Sequence, residues 1–412
     1  VNKLGIMHIV SDLNIGGGQA VVRTLAEYQA RQGCTPVVCA FQDGPLGREI
    51  KQAGIPVEIL PGRRAGIFAF PYFVVDMAHI LRQLSTLVKR YNIQVVQTHL
   101  LMALDFLVLA LRWTNPGVVI FWTFHSANFV LRKEHLARQK WLLGPKRFVH
   151  RQLYRLTAPC VEGFIAVSDQ VRESLLQVFG ERIRPRIYVL PNGVDVERYG
   201  IAIDRAAVRA ALGLPADSRI LIQVGALKPV KGHTYTIAAL AALAERYPDL
   251  HALFVGDGEL RTELEAQVAA NGLTGRAHFL GNRRDIPTLL AASDLFVLPS
   301  LWEGLSMALL EAMASGLPVV ASAVSGTIQV IIPNETGYLF PPGDVTAFTQ
   351  AVDMLLVNPA YAQALGEAAR RRVVAEFSAQ RQAEAHLALY RQALYTLERA
   401  EKPFHRQDAK HF

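Results

Sequence analysis

Asp294 to Ser322 reads DLFVLPSLWEGLSMALLEAMASGLPVVAS. Leu295 to Leu298 is an uninterrupted apolar run, as a strand buried on both faces requires, and Pro299 and Ser300 end it. Met307 to Ala314 reads as a helix that Gly316 and Pro318 stop, and Val319 to Ala321 opens another strand. Strand, helix and parallel strand place the intervening loop, with Glu303, at the carboxyl edge of the sheet, where open α/β sheets take ligands. The amides of Leu305, Ser306 and Met307 would lie at the helix start, where unpaired N–H groups and the dipole attract phosphate. A carboxylate there would repel the phosphate unless it turned toward hydroxyls. Glu303 and Glu311, with seven residues between them, therefore look like hydroxyl acceptors flanking a sugar phosphate. Taken alone, they fit equally well a Glu303 that caps the helix and a solvated Glu311.

The alternation continues in both directions without a hairpin pattern, so the fold class is α/β with parallel sheets. Expected strands in the first half are Leu4 to Val10, Pro36 to Phe41, Pro56 to Leu60, Ile93 to Thr98, Val118 to Phe124, Gly163 to Val167 and Ile187 to Leu190. In the second half they are Ile220 to Val224, His251 to Val255, Ala277 to Leu280, Leu295 to Leu298 and Pro318 to Ala321, with helices at about Ala360 to Glu376 and Ala379 to Leu397. Pro191 and Gly193 in PNGVD mark the exit from the first half. A chain of 412 residues with 51% hydrophobic and 19% charged residues suits two domains with full cores.

Several loops after strands carry candidate chemistry. Gly16, Gly17 and Gly18 follow the first strand and precede a helix from Gln19 to Gln32, where three missing side chains let a backbone approach a ligand. The dinucleotide pattern fails at Val21, where its third glycine belongs, and a tight turn is the plain alternative. Asp12 and Gln19 stand beside this loop. His125 follows the Val118 to Phe124 strand and His99 follows Ile93 to Thr98; an imidazole there can bond a hydroxyl or carry a proton, or simply be structural. Lys228 and Lys231 lie in GALKPVKGH from Gly225, where an ammonium can neutralise a leaving diphosphate. Gly256, Asp257 and Gly258 read as a strand-to-helix turn, with Glu259 starting the helix.

In chain order, GGG at Gly16 to Gly18, FHS at Phe124 to Ser126, PNGVD at Pro191 to Asp195, GALKPVKGH, VGDGEL from Val255, FLG from Phe279 and TGYLFPPGD from Thr336 join the glutamate pair. Together they resemble glycosyltransferase family 4, retaining nucleotide-sugar enzymes with the GT-B fold of two Rossmann-like domains facing across a cleft. The resemblance implies an acceptor domain at 1–195 plus a crossover helix at about 377–412, and a donor domain at 196–376. It implies Glu311 on the ribose hydroxyls, with Glu303 and His125 on hydroxyls of the donor sugar. Lys231 meets the diphosphate, and His125, Glu303 and Lys231 form the expected catalytic group. Lys228, Gly225, Gly256, Gly281, Arg283 and the Leu305, Ser306 and Met307 amides are expected to bind donor, and Gly16 to Gly18 to approach its phosphates and the acceptor. Two positions depart from the family pattern: Ala226 where arginine is usual, and Gln329 where glutamate is frequent.

Nothing in the second half resembles a metal-binding D-x-D pair, so metal-independent transfer is expected, with front-face departure and attack. The nucleotide sugar, UDP favoured over GDP or ADP, is a substrate, and no cofactor is expected. Three cysteines, Cys34, Cys39 and Cys160, lack metal-ligand spacing and read as small buried hydrophobes in a reducing, cytoplasmic setting. No signal peptide is read at the start, and Leu100 to Leu111 is too short to span a bilayer. The net positive charge belongs to the first half: Val1 to Gly200 holds 24 Lys plus Arg against 14 Asp plus Glu, and the remainder 19 against 21. It concentrates at Arg132 to Arg155, interleaved with Trp141, Phe148 and Tyr154, which suits either a solvated helix face or an anionic membrane surface carrying a glycan or lipid-linked acceptor. No nucleic-acid motif accompanies it, and no nucleic acid is expected as a partner. A non-catalytic nucleotide-sugar binder, or an epimerase or phosphorylase on the same fold, is the alternative.

Overall fold

A computed structural model of the chain describes residues 3–14, 16–60, 70–99, 105–125, 152 and 154–401. The chain divides into two compact units: residues 1–166, 171–190 and 383–412 form unit 1, and residues 167–170 and 191–382 form unit 2. The divisions at 190/191 and 382/383 lie a few residues outside those drawn from the sequence. The reason is local pairing within unit 2: Val194 bridges Ser378, Ala379 N donates to Val194 O at 2.9 Å, and Gly193 N donates to Gln382 Oε1 at 3.0 Å.

Unit 1 holds β1 (Gly5–Val10), β2 (Thr35–Ala40), β3 (Val57–Ile59), β4 (Ile93–His99), β5 (Val119–Phe124), β6 (Gly163–Ala166) and β7 (Ile187–Val189). They form one sheet in the order β3-β2-β1-β4-β5-β6-β7, each neighbouring pair parallel. On one face Ile6, Val95, Val119, Phe121 and Ile165 pack with Leu387, Leu389 and Tyr390 of the helix Ala379–Glu401; elsewhere Val10, Val22, Ala26, Val38 and Ile50 form a second cluster. Near-continuous apolar strands, buried along their whole length as β1 and β5 are, are what a parallel sheet covered on both faces demands.

Unit 2 repeats the plan with β8 (Arg219–Val224), β9 (Leu250–Val255), β10 (Ala277–Gly281), β11 (Leu295–Leu298), β12 (Val319–Ser322) and β13 (Tyr338–Phe340), ordered β10-β9-β8-β11-β12-β13 and parallel throughout. Its core gathers Leu221, Phe254, Leu295, Val297, Val320, Phe340 and Phe348. Strand β13 and the helix Val345–Val357 went unread in the sequence. The strand has three residues, too few for a periodic signal, while the helix carries a plain N-cap, Asp344, whose Oδ1 accepts from Ala347 N at 2.9 Å. In both sheets the strand order reverses beside the first strand, between β1 and β4 and between β8 and β11. These are the switch points where loops diverge and leave room for a ligand.

Two smaller expectations are corrected. Cys34 and Cys39 are buried, but Cys160 is exposed because it ends the short turn Ala158–Cys160 rather than entering a strand. The helix expected at Glu259 begins at Arg261, with Leu260 N donating to Leu227 O instead. Residues 132–151 and 153 of the basic stretch lie outside the described residues, as does Ser126; Arg155 is described, and its Nε donates to Val178 O at 2.9 Å. Among the described residues no helix is long and apolar enough to cross a membrane.

Candidate active site

At the carboxyl edge of unit 2, Glu303 follows β11 and is buried, with a relative exposure of 7%. Its Oε1 accepts from Lys231 Nζ at 2.7 Å and from Ser300 Oγ at 2.7 Å. Burying a carboxylate is costly unless charge and hydrogen bonds meet it, and here both do. Lys231 comes from the loop after β8, so the pair joins the two strands that flank the switch point. Leu301 N donates to Val230 O at 2.8 Å and ties the same loops through their backbones.

Two residues absent from the sequence expectations hold this pair. Gln223, buried in β8, donates from Nε2 to Lys231 O at 2.7 Å and accepts from Thr236 Oγ1 at 2.7 Å. Gly232 adopts φ +65°, and a Cβ there would lie 2.1 Å from Pro299 O, so only glycine allows the loop to turn this close to β11. A polar residue in a strand and a glycine before a helix are too common to single out without the fold.

The helix Met307–Ala314 starts at this point. Ser306 is its N-cap, Oγ accepting from Leu309 N, and Leu305 and Ser306 are buried while Met307 is half-buried. Asn192 of PNGVD, read from the sequence only as an exit turn, donates from Nδ2 to Leu305 O at 3.4 Å and so supports the helix start. Glu311 lies half-buried one turn and a little more along that helix. The other expected donor residues line the neighbouring strand ends. Gly225 faces the Lys231 side chain, since a Cβ there would be 3.6 Å from Lys231 Cδ. Gly256, at φ +137°, donates from N to Gly281 O at 2.9 Å, and a Cβ on it would meet Gly225 O at 2.1 Å, so the ends of β8, β9 and β10 are knitted through glycines. Lys228 is exposed, and Arg283 is engaged bidentately by Asp285, Nε to Oδ1 at 2.8 Å and Nη2 to Oδ2 at 2.6 Å. That pairing holds the Asp285 carboxyl below its usual range. Gln329 is half-buried, and its carbonyl accepts from Arg372 Nη2.

In unit 1, only Gly16 of the glycine triplet lies outside the helix: it is the N-cap of Gly17–Arg31, with extended backbone at φ −169°. The expected loop of three glycines is therefore a cap followed by a helical first turn, because Ala20 N already bonds Gly16 O at 2.9 Å. Gly18 faces His125, where an added Cβ would lie 3.9 Å from Cδ2 of the ring. Asp12 accepts from Ser11 Oγ at 2.8 Å, Asn14 N at 3.1 Å and Gln19 Nε2 at 3.3 Å. The structure thus gathers Gly18, His125 and His99 at the switch point, His99 Nδ1 lying 3.0 Å from His125 Nε2. It also adds His8, whose Nδ1 is 3.2 Å from His99 Nε2. Among the described residues no three His, Cys, Asp or Glu side chains converge as metal ligands.

Two parallel-sheet α/β units, each with its polar groups at a switch point, define the GT-B class of glycosyltransferase folds. Residues 15–198 match the model for Glycosyltransferase Family 4, and residues 204–372 that for Glycosyl transferases group 1. An alpha-D-kanosaminyltransferase of Streptomyces kanamyceticus is 33% identical over 284 residues, 67% of this chain and 71% of that protein. The chain belongs to glycosyltransferase family 4. It is 35% identical over 212 residues to the UDP-Gal:alpha-D-GlcNAc-diphosphoundecaprenol alpha-1,3-galactosyltransferase of Escherichia coli; that match covers 50% of this chain and 54% of the relative, about half its length. Among solved structures, Anabaena Alr3699/HepE in complex with UDP and glucose matches with a TM-score of 0.79 and 21% identity, covering 94% of this chain and all of that one. Sucrose-phosphate synthase from Thermosynechococcus elongatus matches with a TM-score of 0.76 and 24% identity over 96% of this chain and 100% of that one. Both likenesses bear on the fold.

Proposed function

We propose that the chain is a metal-independent retaining glycosyltransferase that moves a sugar from a UDP-sugar to a hydroxyl of a glycan or lipid-linked acceptor. The observation that carries this reading is the ion pair of half-buried Lys231 with buried Glu303, 2.7 Å apart, beside the start of the helix Met307–Ala314. An ammonium held there by a carboxylate can meet the charge that develops on a departing diphosphate, with the helix amides sharing that charge. Glu303, fixed by Lys231 and Ser300, keeps a second oxygen for a sugar hydroxyl; Glu311 takes the ribose hydroxyls. His125 accepts a further sugar hydroxyl, and Gly16 to Gly18 let the substrate approach.

In this reading no side chain forms a covalent intermediate. The bond from the anomeric carbon to the diphosphate oxygen breaks as the acceptor oxygen bonds to the same face, and the leaving phosphate takes the acceptor proton. The residues position and stabilise. UDP as donor nucleotide and a lipid diphosphate as acceptor are supported by the names of the Escherichia coli relative and of the Anabaena complexes. Metal independence rests on Lys231 and on the missing D-x-D pair. A cytoplasmic setting at an anionic membrane surface follows from that acceptor class and from the basic stretch of unit 1.

The test is incubation with a panel of UDP-sugars and an undecaprenyl-diphosphate sugar acceptor, with and without a chelator. NMR then reads the anomeric configuration of the product. Transfer with retention, undiminished by chelator, is expected. Inversion, or hydrolysis of donor without transfer, would sink the reading.

A further inference from the structure

Gln223 is a buried amide at the border of an apolar layer. It lies two residues along β8 from Leu221, on the same face of the sheet, where Leu221 packs with Ile237 and Leu240 of the helix His233–Leu243. The pairing of β8 with β11 joins Leu221 to Leu295 and Ile222 to Phe296, so Gln223 stands just past it, where the two strands part. A polar side chain at 2% exposure is tolerated only when its donors and acceptors are met. Both ends of this one are: Nε2 lies 2.7 Å from Lys231 O, and Oε1 lies 2.7 Å from Oγ1 of Thr236, itself fully buried.

These partners fix the direction of the amide. A backbone carbonyl has no proton to give, so the amide nitrogen must face Lys231; the amide oxygen there would set two acceptors against each other. That oxygen is left for Thr236, whose hydroxyl has to donate. Hydroxyl, amide and carbonyl therefore form a relay with one orientation, running from the helix His233–Leu243 through β8 to the short turn Pro229–Lys231. The turn is pinned from the opposite side as well, since Leu301 N donates to Val230 O at 2.8 Å, and Lys231 N closes it on Lys228 O at 3.0 Å. From a backbone held this way, the Lys231 side chain reaches Glu303 Oε1 at 2.7 Å. Without the amide, Lys231 O loses the partner that Gln223 supplies. The turn would then shift toward water to satisfy it and carry the ammonium along.

We propose that Gln223 and Thr236 are positioning residues: Thr236 orients the Gln223 amide, and the amide sets the Lys231 backbone from which the ammonium is aimed. Ala226 raises the demand on Lys231, because no guanidinium stands directly after Gly225 to share its task. The consequence for turnover rests on the glycosyltransferase reading; the placement of Lys231 does not.

The test uses three variants of the full chain, Gln223→Met, Thr236→Val and Thr236→Ser, each checked for folding by thermal unfolding. With a UDP-sugar and acceptor, Gln223→Met should lose about tenfold or more in kcat, and Thr236→Val about threefold or more. Thr236→Ser restores the hydroxyl and should stay within about twofold of the wild type. In a Lys231→Ala background the carbonyl at 231 is still present, so a purely structural tie would make Gln223→Met as costly as before. A tie that acts through the ammonium should cost less than about twofold there. Independently of turnover, brief acylation with an N-hydroxysuccinimide ester, read by peptide mass spectrometry, reports the freedom of Lys231. Labelling should be about threefold faster or more in Gln223→Met, with the exposed Lys51 of unit 1 as reference. The proposal is overturned by a folded Gln223→Met in which kcat or Lys231 labelling is that of the wild type. It is equally overturned by equal losses with and without Lys231, or by a Thr236→Ser that loses as much as Thr236→Val. If Gln223→Met does not fold, the two Thr236 variants decide the matter on the same readouts. If the wild type transfers no sugar, the glycosyltransferase reading fails, and the labelling alone decides whether Gln223 places Lys231.

Discussion

In unit 1 the polar groups at the carboxyl edge of the sheet are imidazoles, His99 and His125, with buried His8 and Gln29 behind them. In unit 2 the corresponding edge holds an ion pair, Lys231 on Glu303, with Gln223 and Ser300 behind it. Both edges lie at the reversal of the same strand order. The difference is in what each arrangement can meet. A hydrogen-bonded line of rings supplies direction without charge and suits hydroxyls. An ammonium held by a carboxylate supplies positive charge and suits a phosphate. Fold alone would not distinguish the edges; the side chains do.

The sharpest way to break this comparison is to remove the charge. Lys231→Ala leaves Glu303 buried with Ser300 as its remaining described partner, and in the proposed reading it removes a cation that meets the developing diphosphate charge. Transition-state donors of this kind are worth roughly 10²–10³ in kcat. The expected result is a loss of that size, measured with saturating donor. Because the two residues act as a pair, Lys231→Ala/Glu303→Gln should lose little more than Lys231→Ala alone. Additive losses would mean that the two side chains act independently rather than as a unit.

Next in size is the contrast between two glycines. Gly232→Ala forces a Cβ into Pro299 O at a backbone φ of +65°, and Gly18→Ala adds one 3.9 Å from the His125 ring in ordinary contact. Thermal unfolding of unit 2 should show Gly232→Ala destabilised by about 2 kcal/mol or more, a strained left-handed position with a backbone clash. Gly18→Ala, in a helix first turn, should leave stability within about 1 kcal/mol. Equal melting temperatures for the two variants would refute the claim that the unit 2 loop needs a glycine.

The two units also share an acid weakness. Burial lowers the pKa of His8 to about 4, and burial with Lys231 nearby lowers that of His233 to about 4. Neither ring nitrogen of His233 has a hydrogen-bond partner among the described residues. In the unfolded chain both rings titrate near the ordinary value of 6.5. Below that pH the unfolded state binds protons that the folded state refuses, so stability is full above about 6.5 and falls as pH drops toward 4. Each ring accounts for up to about 3 kcal/mol across that window. In chemical denaturation against pH, His233→Leu should flatten the acid limb of unit 2, where the wild type slopes. An unchanged slope would assign the limb to other groups.

How much of this could be read in the sequence depended on distance along the chain. Leu295 to Leu298 and Met307 to Ala314 were placed from the sequence alone with the bounds the structure shows, because a buried parallel strand and a Gly–Pro-stopped helix are local patterns. Glu303 and Lys231 were singled out separately, each after a strand, but nothing in the sequence showed that they touch, since 72 residues separate them. The histidine line was less legible still. His99 and His125 were visible as residues after strands, whereas His8 stands within a strand and Gln29 within a helix, positions where polar side chains ordinarily carry no signal. Their roles come from sheet register: His8 is the β1 partner of Gln97, two residues before His99 on β4. Strand β13 shows the opposite limit, three residues whose only cue was the pattern around them.

The smallest expected effect concerns Lys228. It is exposed, and Ala226, also exposed, stands where the family pattern has arginine. An exposed ammonium is screened by solvent and gains about 0–1 kcal/mol from an ion pair. Lys228→Ala should therefore weaken nucleoside-diphosphate binding by no more than about fivefold, far less than Lys231→Ala. Ala226→Arg offers a planar fork that can grip two phosphate oxygens, where Lys228 is a point charge. In the Lys228→Ala background it should recover the lost affinity and add to it, as titration calorimetry with UDP would show. The comparison between the units predicts one further asymmetry: these changes at the charged edge should shift affinity with salt, because screening acts over about 10 Å at 0.1 M. Changes along the neutral histidine line should not. If Lys228→Ala costs as much as Lys231→Ala, the cation that matters is the exposed one, and the Lys231–Glu303 pair would be scaffolding for it.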